Sequence, residues 1–475
     1  MPRRVEGTSR RRFLTKASTL AATSFAFTLV PRHVLGGPKF VAPSEKVNVA
    51  LVGAGGQGRM NLQSLFALPD VQVVAVADPA EAFSLEDFYY RGQGGRLATK
   101  AFVEKHYASK SPNHVCTAYE DFRHLLEKEK AVDAVLCATP DHLHAYVSVL
   151  SMRAGKHVYC EKPLTHNIWE ARKVAAVAKE TGVATQMGNI GHSLEGMRQT
   201  VEYLAAGAIG KVKEVHAWVG ATRWNRELTG LPKDTPPIPS GLNWDLWLGP
   251  RNPRPYHPAY FPVRWRDFWA FGGGAIGDFV CHDLDAACWA LDLKDPHRVH
   301  ARPGSQMDAE ISPHSEMVYW DFAARGEGPA RGAVRAMWYD GGLRPPVPEG
   351  WPVDQEMPSR GCFFVGDQGV MMCAGLGGKP MLLPEERNET YKAPEKTVVR
   401  SKGHHRDWVD ACKGGPSASS HFEYGARLTE LLLLGVLSLR TGKPIDWDSG
   451  AMRARNAPEA EAIIKEGYRS GWEVV

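Results

Sequence analysis

Residues 46–68, KVNVALVGAGGQGRMNLQSLFAL, decide how the rest of the chain is read. Residues 47–52 are a short apolar, β-branched run, which reads as a buried strand. Gly53, Gly55, Gly56 and Gly58 follow, and a helical pattern opens behind them. The spacing Gly53-x-Gly55-x-x-Gly58 suits a strand-to-helix turn that binds a dinucleotide. The first glycine permits the tight turn. The second lets backbone N–H groups approach a pyrophosphate, and the third lets helix and strand pack closely. A glycine pattern alone is weak, but here it has its context. A second apolar run, VQVVAVAD, ends in Asp78, twenty residues past Gly58. A carboxylate there can accept hydrogen bonds from the adenosine ribose. No arginine directly follows Asp78, which favours NAD over NADP; Arg59, beside the glycine loop, keeps NADP open.

The alternation continues outward. AVDAVLCATP reads as a strand, HLHAYVSVLSMRAG as a helix, HVYCEKP as a strand, IWEARKVAAVAKETG as a helix and VATQMGN as a strand. Repeated β-α-β units at this spacing imply an α/β fold with a doubly wound parallel sheet and right-handed crossovers. Ligands of such sheets sit at the carboxyl ends of the strands, where Thr139, Glu161, Lys162 and Asn189 fall. From the residues alone, Lys162 could be catalytic, bind phosphate or sit in a surface ion pair.

A second constellation lies at residues 272–291, GGGAIGDFVCHDLDAACWAL. On one helix, Asp278, His282, Asp285 and Trp289 share a stripe, and Ile276, Val280, Leu284 and Leu291 lie opposite. A solvent face usually carries Lys, Glu or Arg, and this stripe carries none. Three leading glycines cost backbone entropy, which suggests a bulky neighbour in close approach. One helical turn separates Asp278 from His282, so the acid can contact or orient the imidazole.

Before this helix lies a Pro- and Arg-rich irregular insertion. From 218 to 269 the chain carries Trp218, Trp224, Trp244, Trp247, Trp265 and Trp269. Such rings either wall a sugar pocket or staple the loop to the core, and Trp265 is the candidate for the first role. His192, in NIGHS, is a further substrate candidate. Later, FFVGDQGVMMC and EMVYWDF read as strands, RLTELLLLGVLSLRTGKP as a buried helix stopped by Gly442, and APEAEAIIKEGYRSGW as a closing helix.

The N-terminus reads differently. SRRRFL, residues 9–14, precedes a weakly apolar stretch too short and polar to span a bilayer. Twin arginine with Phe-Leu in this position resembles a Tat export signal. The expected location is therefore periplasmic or exported, or cytoplasmic if the signal is unused. No later segment is long and apolar enough for a membrane helix. The chain's 475 residues suit two or three domains, and its net charge of +4 includes no basic tract beyond the N-terminus, which argues against nucleic acid. Eight cysteines form no CxxC pair, and no metal-ligand spacing is present, so no metal is expected.

At GAGGQG, ATPDHLHA and above all CEKPLTHN, the chain resembles the glucose–fructose oxidoreductase/inositol dehydrogenase/rhizopine-catabolism family. The resemblance runs from residue 46 to the C-terminus. Behind the Tat-type signal and linker at 1–37, it implies an NAD(P)-binding Rossmann domain at 46–190 and a substrate and oligomerisation domain at 191–475. The last is built on a large open, mostly antiparallel sheet and implies a homo-oligomer, dimer or tetramer. It also implies that Lys162 works with Asp278 and His282 as the catalytic set. Gly53, Gly55, Gly56, Gly58, Asp78, Thr139, Glu161 and Lys162 would then hold NAD, or NADP. Asn189, His192, Trp265 and Asp285 would face the substrate.

The activity so implied is oxidation of a secondary hydroxyl on a sugar, polyol or glycoside. Either His282 or Lys162 would be the base, the other stabilising or orienting. An exported enzyme lacks a ready NAD pool, so a tightly held, recycled cofactor is expected. One alternative is a redox-cycling glycoside hydrolase of the same fold, whose carbon-bound proton would go to His192, Tyr256 or His257. Another is a sugar-binding protein with a vestigial cofactor site.

Overall fold

The computed structural model describes residues 41–474 apart from 110, 325–327 and 329–331. The export signal read at 1–37 lies outside the described residues. From Val47 onward the chain forms one compact unit.

The first half alternates as its apolar runs require. In order come β1 (Val47–Val52), α1 (Gly56–Phe66), β2 (Val71–Ala77), β3 (Phe83–Ser84), β4 (Gln93–Gly94), α2 (Arg96–Tyr107), β5 (Thr117–Tyr119), α3 (Phe122–Lys128), β6 (Ala134–Cys137), α4 (Asp141–Arg153), β7 (His157–Cys160), α5 (Ile168–Thr181) and β8 (Thr185–Met187). Six of these strands form a parallel sheet in the order β5-β2-β1-β6-β7-β8. The strands are buried on both faces, which is why they read as unbroken apolar runs. β3 and β4 pair only with each other, in a loop that follows β2.

The second half follows with α6 (Glu195–Ala205), β9 (Val212–Val219), α7 (Trp244–Leu248), α8 (Gly274–Asp283), α9 (Asp285–Leu291), β10 (Arg298–Pro303), β11 (Glu316–Phe322), β12 (Val334–Tyr339), β13 (Arg360–Gly366), β14 (Gly369–Ala374), β15 (Pro380–Leu383), α10 (Glu385–Thr390), α11 (His404–Cys412), α12 (Phe422–Thr441), β16 (Ile445–Asp448), β17 (Arg453–Ala454) and α13 (Glu461–Ile464). Nine strands form one sheet, β15-β14-β13-β9-β12-β11-β10-β16-β17. All neighbours are antiparallel except β9 and β12. This is the large, mostly antiparallel sheet expected beside the doubly wound one.

α12 is the buried helix anticipated from its leucine run, and Gly442 ends it in the left-handed conformation at φ 66°. α12 packs against α5, β10 and α8. At its crossing with α8, a Cβ on Gly435 would meet Ile276 Cδ1 at 2.5 Å and Val318 at 3.1 Å. Gly435→Ala is therefore expected to destabilise the fold by about 1–3 kcal/mol through overpacking. A urea titration with an unchanged m-value would measure it.

Two sequence expectations need correction. The helix read through 272–291 is two helices that meet at Leu284. The closing helix is only α13, four residues long. Beyond it the chain is drawn into side-chain contacts instead: Tyr468 Oη donates to Glu170, and the Trp472 ring lies beside Tyr146. One late element returns to the first sheet. Trp408 and Val409 of α11 are fully buried in the core beneath β1, β2, β6 and β7.

Candidate active site

A cleft of about 490 Å³ opens at the carboxyl ends of the parallel strands. Its floor is the glycine turn. Gly53 sits at φ 93°, and a Cβ there would meet the Ala138 carbonyl carbon at 2.5 Å. Gly58 lies against the Gly53 carbonyl, as close helix–strand packing demands. Gly55 faces open space, with only Phe83 Cζ at 4.0 Å from a hypothetical Cβ. Among the described residues no side chain caps α1, so its first N–H groups remain available for an anion. Asp78 accepts from Ala54 N at 2.8 Å and Ala80 N at 2.9 Å, and burial pushes its carboxyl up to about 6. Beside it a narrow apolar slot is lined by Thr139, Leu143, Leu246 and Trp472. An open anion cradle, an acid at the ribose position and a flat apolar slot fit a dinucleotide.

Two of the expected cofactor positions differ in detail, and Arg59 is engaged elsewhere. Gly56 serves the protein as well: the Tyr90 ring packs directly on it, where any side chain would clash. Glu161 is buried and accepts from Asn61 Nδ2 at 2.8 Å and Gln57 Nε2 at 3.3 Å, with burial raising its carboxyl. Arg59, the candidate for a 2′-phosphate, donates through Nη1 to the Gln93 carbonyl and lies over Phe102. Gly56→Ala should push the Tyr90 segment off the turn and weaken NADH binding about tenfold, read by fluorescence titration.

Lys162, Asp278 and His282 meet in the cleft. Lys162 Nζ donates to the Asp278 carbonyl at 2.9 Å and to its carboxylate. Arg266 Nε approaches the other carboxylate oxygen at 3.4 Å. Burial would raise the Asp278 carboxyl, but Lys162 and Arg266 hold it well below the usual carboxylate range. Burial would discharge Lys162, but Asp278 outweighs it and the amine stays above its ordinary value. Asp278 makes no hydrogen bond to His282 among the described residues; its acid is spent on the two cations. Burial, then Lys162 and Arg360, hold the His282 imidazole well below its ordinary value. The site therefore pairs a fixed cation with a neutral imidazole.

Of the expected substrate residues, Trp265 lines the cleft, but Asn189, His192 and Asp285 do not. They form a cluster behind it. Asp285 accepts from Asn189 Nδ2 at 2.9 Å, lies 3.0 Å from His192 Nδ1, and accepts from Tyr424. Asp285, the first residue of α9, is fully buried. Tyr256 packs edge-on against Trp244, and His257 pairs with Asp234 at 3.2 Å; neither lines the cleft. The leading glycines of α8 do permit close approach. Gly272 lies on the Arg266 backbone, 2.8 Å from a hypothetical Cβ, and Gly274 turns at φ 67° beside Ser312.

The sequence reading missed Tyr89, Tyr90, Arg266, Arg360 and Asp141, all of which line the cleft. The tyrosines come from the loop after β2, Arg266 from the insertion and Arg360 from the start of β13. None lies in a periodic pattern. Asp141 stood in ATPDHLHA, at the strand end where ligands gather, and that was its only signal. At the wall of the cleft, Cys137 and Cys160 converge on His144, which lines it. Both His144 nitrogens already contact carbonyls, Pro163 O at 2.7 Å and Thr139 O at 2.9 Å.

Comparison with known proteins agrees with this architecture. Residues 47–189 match a family described as an oxidoreductase family with an NAD-binding Rossmann fold. Residues 202–323 match the C-terminal α/β domain of the same family. The inositol 2-dehydrogenase of Rubrobacter xylanophilus is 31% identical over 179 residues, 37% of this chain and 44% of that protein. The levoglucosan dehydrogenase of Pseudarthrobacter phenanthrenivorans is 24% identical over 244 residues, 51% of this chain and 50% of that protein. The chain thus spans half or less of these two relatives. In fold, it is similar to the WlbA dehydrogenase of Bordetella pertussis, solved with NADH and UDP-GlcNAcA. The TM-score is 0.55 at 15% identity, covering 85% of this chain and 99% of that one. A levoglucosan dehydrogenase solved with NADH and L-sorbose gives the same TM-score, identity and coverage.

Proposed function

Because the chain belongs to the NAD-binding oxidoreductase family of glucose–fructose oxidoreductase and inositol dehydrogenase, we propose that it oxidises a secondary hydroxyl of a sugar, cyclitol or glycoside with NAD. The carrying observation is the neutral His282 beside the cationic Lys162, in one cleft with the glycine turn.

Lys162 is the oxyanion donor, not the base. Its ammonium is locked in the charged form by Asp278, so it can only donate a hydrogen bond to the substrate oxygen and stabilise negative charge there. His282 accepts the hydroxyl proton. Asp278 fixes the Lys162 ammonium in place, and Arg266 holds the far oxygen of that carboxylate. The chemistry that NAD supplies when bound is acceptance of hydride from the alcohol carbon. Arg59 and Arg96 both donate to main-chain carbonyls, which supports NAD over NADP.

A tightly held, recycled cofactor is part of this reading. Its support is enclosure at both ends: Tyr90 over the glycine turn and Trp472 with Leu246 at the apolar slot. Tat export to the periplasm rests on the twin-arginine segment, and assembly as a homodimer or tetramer on the family resemblance. The test is an absorbance spectrum of purified protein, without added NAD, during stepwise addition of sugars and glycosides. A reduced-nicotinamide band that persists until a keto-sugar is added supports the reading. Absence of any band, even after adding NAD, overturns it. Release of an aglycone with only a transient band replaces it with the redox-cycling hydrolase.

A further inference from the structure

The turn between β14 and β15 contains Gly375-Leu376-Gly377-Gly378. Three glycines accompany one leucine, yet the leucine itself sits at φ 63°. A bulky side chain is disfavoured in that left-handed region, which glycine enters freely. Among the described residues, Arg91, Asp292, Asp295, Leu376 and Met452 are the non-glycine residues at positive φ. Of these, only Leu376 lines the cleft. Such a conformation persists only where the surroundings fix it, and here they do so from three sides. Leu376 N donates to Asp283 Oδ1 at 3.4 Å, on a carboxylate that also accepts the Arg360 fork. The Leu376 carbonyl oxygen lies against Gly191, 2.6 Å from where a Cβ would stand. The backbone of Gly377 and Gly378 presses on Gly196 of α6, where a Cβ would meet Gly378 C at 2.3 Å.

These contacts are made by backbone atoms, so the turn is locked whatever side chain stands at 376. Glycine there would satisfy it without strain. The leucine is therefore explained by what its side chain does, and its neighbours say where. Asp283 is the last residue of α8 and directly follows His282. The Arg360 guanidinium lies 5.6 Å from the centroid of Phe279, one helical turn earlier. Leu376, Ile190, Phe279, His282 and Arg360 all line the cleft. None of them belongs to the glycine turn or to the slot beside Asp78, so Leu376 bounds the end where the alcohol reacts. Its hydrocarbon offers a sugar hydroxyl no hydrogen bond. What it contributes is shape: a wall on a fixed backbone discriminates by colliding with a larger group.

We propose that Leu376 is a specificity-determining residue of this site, limiting the substrate to a ring without a bulky group on the side that meets His282. This rests on the oxidoreductase reading above and deepens it by naming the size class of the substrate. The experiment compares mono-O-methyl with mono-O-benzyl ethers of D-glucose, D-galactose and myo-inositol, one hydroxyl at a time. Binding is measured by calorimetry on the full chain loaded with NADH, which allows no oxidation. Turnover is measured with NAD by the reduced-nicotinamide band. The variants are Leu376→Gly, which removes side chain and strain, and Leu376→Ala, which removes most of the side chain and keeps the strain.

At one hydroxyl or more, the benzyl ether is expected to bind at least tenfold more weakly than the methyl ether. In both variants that ratio should narrow about fivefold or more. Leu376→Gly should melt higher than Leu376→Ala, because only alanine keeps a Cβ at positive φ; the opposite order overturns the inference. Methyl and benzyl ethers bound equally at every hydroxyl of the unaltered protein also overturn it. So does a ratio that neither variant changes. Narrowing in Leu376→Gly alone overturns it by assigning the effect to a freed turn. Weaker benzyl binding in either variant overturns it by making the leucine a contact and not a limit. Loss of NADH affinity at an unchanged ratio overturns it by placing the side chain on the cofactor. A narrowed ratio with no reduced-nicotinamide band for any compound leaves the wall standing and sinks the oxidoreductase reading. A band with an unchanged ratio does the reverse.

Discussion

Replacing His282 by glutamine is expected to lower kcat about 10²- to 10⁴-fold, the range for loss of a positioned general base. The pH dependence identifies the role. The imidazole must be neutral to accept the hydroxyl proton, and burial with Lys162 and Arg360 holds it well below its ordinary value. kcat/KM should therefore stay level through neutral pH and fall only well below pH 6.5, as the imidazole becomes protonated. In His282→Gln that acid limb disappears along with most of the rate. If the variant kept both the rate and the limb, another group would be the base. The cost to the fold should be small, because among the described residues His282 Nδ1 has no hydrogen-bond partner for glutamine to remove.

Lys162→Met is expected to cost about 10²–10³ in kcat, some 2.7–4 kcal/mol of transition-state stabilisation, the usual loss when one oxyanion donor is removed. The sign of its pH effect is opposite. Asp278 keeps the ammonium charged above its ordinary value, so the native alkaline limb should lie above pH 10.5. In the variant that limb is absent. Removing one partner of a buried ion pair usually destabilises strongly. Here Arg266 still faces Asp278, so a thermal melt should show a folded protein, and NADH should still bind at the glycine turn. A variant that folds, binds NADH and turns over at the native rate would remove Lys162 from the mechanism.

What the sequence made legible was what is local and periodic. The glycine turn, Asp78 and the strand-end Lys162 follow from spacing within single β-α units, where backbone geometry leaves few choices. Asp278 and His282 were found because one helical turn separates them. The same reasoning failed one residue beyond the helix. Asp285, read as facing the substrate, opens α9 and lies in a buried cluster with His192 and Asn189. Asp278 was expected to orient His282, but its neighbours come from elsewhere in the chain: Lys162 from β7's end and Arg266 from the insertion. Arg266, Arg360, Tyr89 and Tyr90 were silent for the same reason. They enter from loops and a sheet edge, and only tertiary packing decides which way such residues point. The tryptophans of the insertion have two possible roles from composition alone, wall or staple. Trp244 and Trp247 stack 4.5 Å apart within an aromatic core and Trp265 reaches the cleft, so both roles are used.

The position of α11 bears on how the chain can be made. A ribosome delivers the six parallel strands long before it delivers Trp408 and Val409, which complete the core beneath them. Until those residues emerge, the nascent first half carries an unfilled apolar socket, and N-terminal segments ordinarily fold as they appear. Cutting the gene after the last parallel strand would make that socket permanent, and the fragment would be expected to aggregate rather than fold. The two halves are therefore units of sequence but not of synthesis. Any quality check made on the folded protein is, in effect, a check that translation has passed Val409.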